Sequence, residues 1–225
     1  MKSRTSNVTE ESFESLADLW KSPNRLDWNS IFVLPAWMQA WWQEFGRGGK
    51  PYFLNVIQGG ETAGIAPLLI KGKTASLLGN ADVCDYLDFI VTPGLENDFF
   101  KTLLDNLKQR GVEHLDMGAV RPDSTVMTSL VPLAREMGCE VSITQEDVSV
   151  ELVLPDTFDK YLALLDGKQR HELNRKFRNA SAEGKLNYRV VSDHDWLNKT
   201  LDDFFKMFTE SRHDKAAFLT TDMAT

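Results

Sequence analysis

Cysteine is scarce in this chain: two residues in 225, Cys84 and Cys139. Two sulfurs make at most one bridge, so no disulfide framework holds the fold and a reducing compartment is expected. No apolar run approaches the roughly 18 residues that a membrane-spanning helix needs. The first ten residues lack the apolar stretch of a secretory signal. Positive charge is in deficit, with 25 Lys and Arg against 33 Asp and Glu and a net charge of −8. That field opposes DNA and anionic membranes, although a local basic patch can still act. The glycine motifs of dinucleotide, phosphate-loop and serine-hydrolase sites are missing, and so is any C-x-x-C pair. His114, His171, His194 and His213 have no metal-ligand spacing, so no metal is expected. Together these absences point to a soluble cytoplasmic protein.

What is present is an ordinary globular composition with a generous aromatic supply, including 6 Trp and 13 Phe. Apolar spacing predicts a helix over 10–22 and a second from Pro35 to Gly46. The pattern then changes to period two. P-Y-F-L-N-V-I-Q and T-A-G-I-A-P-L-L-I-K read as strands joined by a tight G-G-E turn. T-A-S-L-L-G-N and Y-L-D-F-I-V-T read as two more, stopped by Pro93-Gly94. A helix over 97–110 ending at Gly111, a strand over 113–120 and a helix over 124–137 follow, with Pro132 set to kink or split the last. The segment 139–154 reads as one or two strands, 157–182 as one long amphipathic helix, 186–191 as a strand and 195–212 as a helix. Thr220 or Thr221 looks like a fresh N-cap. A meander followed by α/β crossovers predicts a mixed sheet flanked by helices, an α/β (α+β) fold. The best boundary lies near 145–154.

Three constellations could carry chemistry. Between Lys168 and Arg189 there are seven Lys and Arg against two acids, Glu172 and Glu183. Helical spacing puts Lys168, His171, Arg175 and Arg178 on one face, opposite Leu162, Leu165, Leu173, Phe177 and Ala180. Lys168, Arg170, Arg175 and Arg178 are thus candidates for gripping an anionic group; the competing reading is a solvated face paired with the chain's own acids. The second constellation is Asp82, Asp85, Tyr86 and Asp88. On a strand, Tyr86 and Asp88 share a face opposite Asp85, and burial would raise a carboxyl into general-base range. The competing reading is a turn of solvent-facing acids. The third is Trp37, Trp41 and Trp42 with Met38 and Phe45, at core-packing spacing.

W-M-Q-A-W-W-Q-E-F-G (Trp37–Gly46), G-I-A-P-L-L (Gly64–Leu69), L-L-G-N-A-D-V-C-D-Y-L-D-F (Leu77–Phe89) and H-L-D-M (His114–Met117) are the most distinctive segments. With them the chain resembles the first half of the CelD/BcsL-type, FemAB-like branch of the GNAT acetyltransferases. L-P-D-T-F-D-K-Y-L-A-L-L-D-G-K-Q-R-H-E-L-N-R-K-F-R (Leu154–Arg178) is similar to that family's junction helix. The resemblance implies a first GNAT-like unit over 1–154, then a junction helix and the start of a second, incomplete unit over 155–225. It implies transfer of an acyl group from acetyl-CoA or another acyl-CoA to a small-molecule or glycan amine, in cell-envelope or exopolysaccharide metabolism. It does not assign catalytic residues: the family's CoA-pyrophosphate loop, [RQ]-x-x-G-x-[GA], is not found here. Asp85, Tyr86 and Asp88 are the candidate substrate contacts. Two alternatives stay open: a non-catalytic binding or scaffold module, and a Fem-type transferase that uses aminoacyl-tRNA on the basic stripe. An apolar face left by an incomplete unit would favour a homodimer.

Overall fold

A computed structural model describes residues 6–46, 48–148, 150–182 and 189–212. They fall into two units, one ending at Ser142 and one beginning at Ile143. The first unit runs β1 (Ser6–Glu11), α1 (Phe13–Lys21), α2 (Pro35–Phe45), β2 (Lys50–Gln58), β3 (Glu61–Lys71), β4 (Thr74–Leu77), β5 (Ile90–Val91), α3 (Glu96–Gln109), β6 (His114–Asp116) and α4 (Val131–Glu136). The sheet order is β1-β2-β3-β4-β6, with β5 also paired to β3. Every pairing is antiparallel except β4 with β6, where Ala75 faces Leu115 in parallel. The fold is therefore α+β, with a mixed sheet flanked by helices.

Local chemistry explains the elements. Gln58 pairs with Glu61, so Gly59 and Gly60 form a two-residue hairpin turn, and their φ values of 61° and 91° are those the turn requires. α1 opens with a reciprocal capping box: Ser12 Oγ accepts from Ser15 N–H at 3.2 Å, and Ser15 Oγ accepts from Ser12 N–H at 2.9 Å. Pro35 takes the first position of α2. α3 ends at Gly111 in a left-handed closure. There the N–H groups of Gly111 and Val112 donate to Lys108 and Leu107, both at 3.0 Å.

β3 is buried without a break from Ala63 to Leu69, so both of its faces are covered. Phe13 of α1 packs edge-on to Phe53, which pairs with Pro67. Phe99 of α3 instead lies against Gly64, on the opposite face by strand alternation. Phe89, Phe99 and Phe100 form a closed edge-to-face trio with centroids 5.0–5.8 Å apart.

Several sequence expectations change. Glu10 and Glu11 belong to strand β1, not to a helix; S-N-V-T-E-E is an edge strand whose polar residues hide the period-two signal. The expected strand through Tyr86 shrinks to β5, and the 113–120 strand to β6. The 124–137 helix begins with a wide π turn over Val126–Leu130, in which Val131 N–H reaches back five residues to Val126 O. The wide turn makes room for Pro132, whose ring would otherwise meet the carbonyl four residues before it. No strand forms over the described residues of 139–154 or 189–191. Residues 186–188, Gly184, Thr220 and Thr221 lie outside the described residues.

The second unit holds α5 (Phe158–Leu164), α6 (Gly167–Ala182) and α7 (His194–Ser211). The single helix expected over 157–182 is two. Asp166 restarts the chain: Asp166 Oδ1 accepts from Gln169 N–H at 2.7 Å, and Gln169 Oε1 accepts from Asp166 N–H at 3.3 Å. None of the described residues of α5 and α6 is buried.

Gly64 tests the packing of α3 on β3. A Cβ there would meet Phe99 ring carbons at 2.6 and 2.8 Å, and Phe99 is fully buried. Gly64→Ala is expected to cost about 1–3 kcal/mol by overpacking, read as a lower urea midpoint with an unchanged slope.

Candidate functional site

Three stretches of the first unit line a cleft: residues 29–32 ahead of α2, the connection from β4 to β5, and the stretch that follows β6. Leu78 N–H still bonds to Pro67 O at 2.9 Å, and the chain then leaves the sheet at Gly79. At φ 153° a Cβ on Gly79 would press on Leu87 at 2.8 Å and on Cys84 Sγ at 3.2 Å. Asn80 Oδ1 accepts from the Trp41 indole N–H at 3.1 Å, and Asn80 O from Cys84 N–H at 2.9 Å. Trp41 is thus core, as its spacing implied, and it also anchors the start of this connection. Leu87 N–H donates to Ala119 O at 2.7 Å, which joins the connection to the stretch after β6.

The cleft is about 610 Å³ and is lined by Asn29, Ser30, Phe32, Asp85, Tyr86, Asp88, Arg121 and Asp123, among others. The structure brings all three candidate residues to it, though not on a strand, so the expected alternation of Tyr86 and Asp88 against Asp85 does not apply. Asp85 is exposed and Tyr86 half-buried. The Tyr86 ring meets Phe32 edge-on at 6.1 Å, and the Arg121 guanidinium lies 5.1 Å above it. Arg121 Nε and Nη2 donate to the two oxygens of Asp123 at 2.9 and 3.2 Å. That fork holds the Asp123 carboxyl below its ordinary value.

Asp88 is different. It is 6% exposed, and both its oxygens are engaged. Oδ1 accepts from Phe89 N–H at 2.9 Å, Thr125 Oγ1–H at 2.6 Å and Val126 N–H at 3.3 Å. Oδ2 accepts from Thr125 N–H at 2.8 Å. Burial raises its carboxyl above the ordinary value, and the four donors oppose that rise. Asp88 is the N-terminal cap of the helix that starts after Thr125, brought from 37 residues away. Arg121, Asp123 and Thr125 were not singled out from sequence. The run R-P-D-S-T, dense in cap formers ahead of an apolar stretch, is the signal that marks them.

The fit of an acyl-CoA pyrophosphate can be judged at the helix N-termini of this unit. α3 has no side-chain cap, but its first turn carries Glu96 and Asp98, and Glu96 Oε1 already accepts from Gly94 N–H at 2.9 Å. The helix after Thr125 has its opening N–H groups taken by Asp88 and Ser124. Both ends set a carboxylate where phosphate oxygens would sit. These two ends do not fit the pyrophosphate; α2, which opens on Leu34 and Pro35, has no acid in its first turn.

The basic stripe is partly spent within the second unit. Arg170 Nε and Nη2 donate to the carbonyls of Leu162 and Leu165 at 3.0 and 2.9 Å, closing the end of α5. Arg175 forks onto Glu172 at 2.9 and 2.7 Å. That pairing lowers the Glu172 carboxyl and raises Arg175. Lys168 and Arg178 are exposed.

Cys84 is buried, Cys139 exposed, and both are free thiols. Among the described residues no three His, Cys, Asp or Glu side chains gather as metal ligands, and no helix is long and apolar enough to cross a membrane. No protein-family model matches this chain, and no curated protein matches it.

Asp88 generates a two-part prediction. Asp88→Ala removes a cap and orphans buried donors, at an expected cost of about 3 kcal/mol by urea denaturation. The pH sign follows from the raised carboxyl. The folded chain keeps this proton at pH values where the unfolded chain, near 3.8, has lost it. The stability Asp88 contributes is thus complete below that value and declines as the pH rises through it toward the folded value. The stability of wild type relative to Asp88→Asn is expected to fall across that rise.

Proposed function

We propose that this chain acts in N-acyl transfer to an amine, and that the cleft of its first unit receives the acceptor. The observation that carries the reading is the cleft itself: Asp85 stands exposed beside the half-buried Tyr86, with the Arg121–Asp123 fork on the other wall. An exposed carboxylate attracts an ammonium group, and the aromatic ring gives it or an attached sugar a face to rest on. The mixed sheet, a meander that crosses through α3 to a parallel strand, agrees with the GNAT-like unit that the sequence resembles. A CelD/BcsL-type transferase of the cytoplasm, working on a small-molecule or glycan amine, is the family assignment we propose.

The N-termini of α3 and of the helix after Thr125 already carry carboxylates, so neither is read as the acyl-CoA site. The chain's own contribution is to gather, orient and shield the amine. We read Asp85 as the residue that draws and orients the ammonium form, whose proton passes to water before the amine attacks.

One observation favours a second reading. The same pre-empted helix ends suit a non-catalytic module that binds an amine ligand and has no acyl chemistry. The tRNA-dependent alternative is weaker, because Arg170 and Arg175 already serve contacts within their own unit.

A single assay separates these readings. Labelled acetyl-CoA is incubated with the chain and glucosamine as the probe amine. Acyl transfer predicts labelled product, and Asp85→Asn should raise KM for the amine about tenfold with an unchanged melting temperature. Glucosamine binding without any transfer or acetyl-CoA affinity would establish the binding module instead.

A further inference from the structure

We infer that Asp88 is a positioning residue that holds two walls of the cleft in register. The inference rests on the acceptor reading only for its ligand; its geometry stands apart from it.

One wall is the segment that carries Asp85 and Tyr86. The other carries Arg121 and Asp123. Among the ties that join them are the bond from Leu87 N–H to Ala119 O at 2.7 Å, the Arg121 guanidinium over Tyr86 at 5.1 Å, and the Asp88 cap on Thr125 and Val126. The first is one hydrogen bond, and the second is an exposed-side contact of modest strength. The third is buried, uses both carboxylate oxygens and gathers three donors from the opposite wall. Charge-assisted bonds in a buried setting are the strongest and most directional of the three kinds.

The lever arm is short. Tyr86 is two residues before Asp88, and Arg121 is four before Thr125. A shift of the cap therefore moves the ring against the guanidinium, and with it the space between Asp85 and Asp123. A capping serine or threonine within the helix's own chain would satisfy the same N–H groups without touching the other wall. Ser124 sits next to the cap position and bonds Met127 N–H at 3.2 Å. The remote carboxylate thus does something a local cap cannot: it fixes a distance.

Asn at 88 keeps size and one acceptor but turns an N–H₂ toward a donor of the Thr125–Val126 pair. The walls should then part while the fold persists. The spectroscopic reading is the ring-current shift of the Arg121 side-chain protons above Tyr86, taken by NMR on the full chain. A second pair supplies an internal control: Arg110 lies 4.2 Å above Tyr52, elsewhere in the same unit. In Asp88→Asn the Arg121 shift should collapse toward its random-coil position and the Arg110 shift should stay. Glucosamine affinity should fall about tenfold or more, in line with misplaced binding groups.

Retention of both shifts in Asp88→Asn, with unchanged affinity, would overturn the inference. If that variant loses the Arg110 shift too, it has not kept its fold, and Thr125→Val decides. This substitution removes only the hydroxyl that donates to Asp88 at 2.6 Å. It must move the Arg121 shift and spare the Arg110 shift, or the clamp is refuted. A wild-type chain that ignores glucosamine but loses its Arg121 shift in Asp88→Asn would sink the acceptor reading and leave the clamp standing.

Discussion

β3 constrains everything else in the first unit. It hydrogen-bonds to β2, β4 and β5, and its residues from Ala63 to Leu69 have no face left for water. Two consequences follow from that one strand. Its side chains must be apolar on both faces, which removes the alternation that marks a half-exposed strand. Helices must also cover both faces, and α1 and α3 reach opposite ones through Phe13 and Phe99. Gly64 is the point of closest approach, where the Phe99 ring takes the volume of the missing side chain. At that point the position of α3 is set by contact with backbone.

Burial also decides what the acids of the β4–β5 connection become. Asp82 and Asp85 remain at the surface. Asp88 is carried inward because Leu87, Phe89 and Ile90 on either side of it are core. A carboxylate forced into that setting must find donors, and the helix after Thr125 offers those that Ser124 leaves open. Each feature solves the other's problem. The carboxylate satisfies a helix end, and the helix end makes its burial tolerable. Two walls of the cleft inherit their spacing from this exchange.

The legibility of these features in sequence follows the same physics. The β2–β3 hairpin was readable because Gly59-Gly60 is a local signal and the flanking strands are strongly apolar. The end of α3 at Gly111 was readable for the same reason. β1 was not, because an edge strand of S-N-V-T-E-E has almost no apolar period, and its identity comes from pairing with β2. The break between α5 and α6 was written in D-G-K-Q as a capping box, but the apolar spacing ran through it and took precedence. The cleft was half legible. Asp85, Tyr86 and Asp88 are close in sequence, so their grouping survived even though the strand carrying them did not form. R-P-D-S-T marks a helix start on the other wall, but no local pattern reports that residue 88 caps residue 125.

The distribution of charge supports the proposal that the first unit receives an amine. A net charge of −8 says little alone, since acids scattered on a surface are screened. What matters is where they sit relative to free N–H groups. At α3 they are Glu96 and Asp98, in the first turn. At the helix after Thr125 the acid is Asp88, bonded to its opening N–H groups. A helix N-terminus attracts one anion, and these two already have their own. At the second of these ends a phosphate would have to displace Asp88 and leave it buried and unpaired. A cation at Asp85 displaces nothing but water. The acids that close these two helix ends to phosphate are thus of the same sign as the one that opens the cleft to an ammonium group.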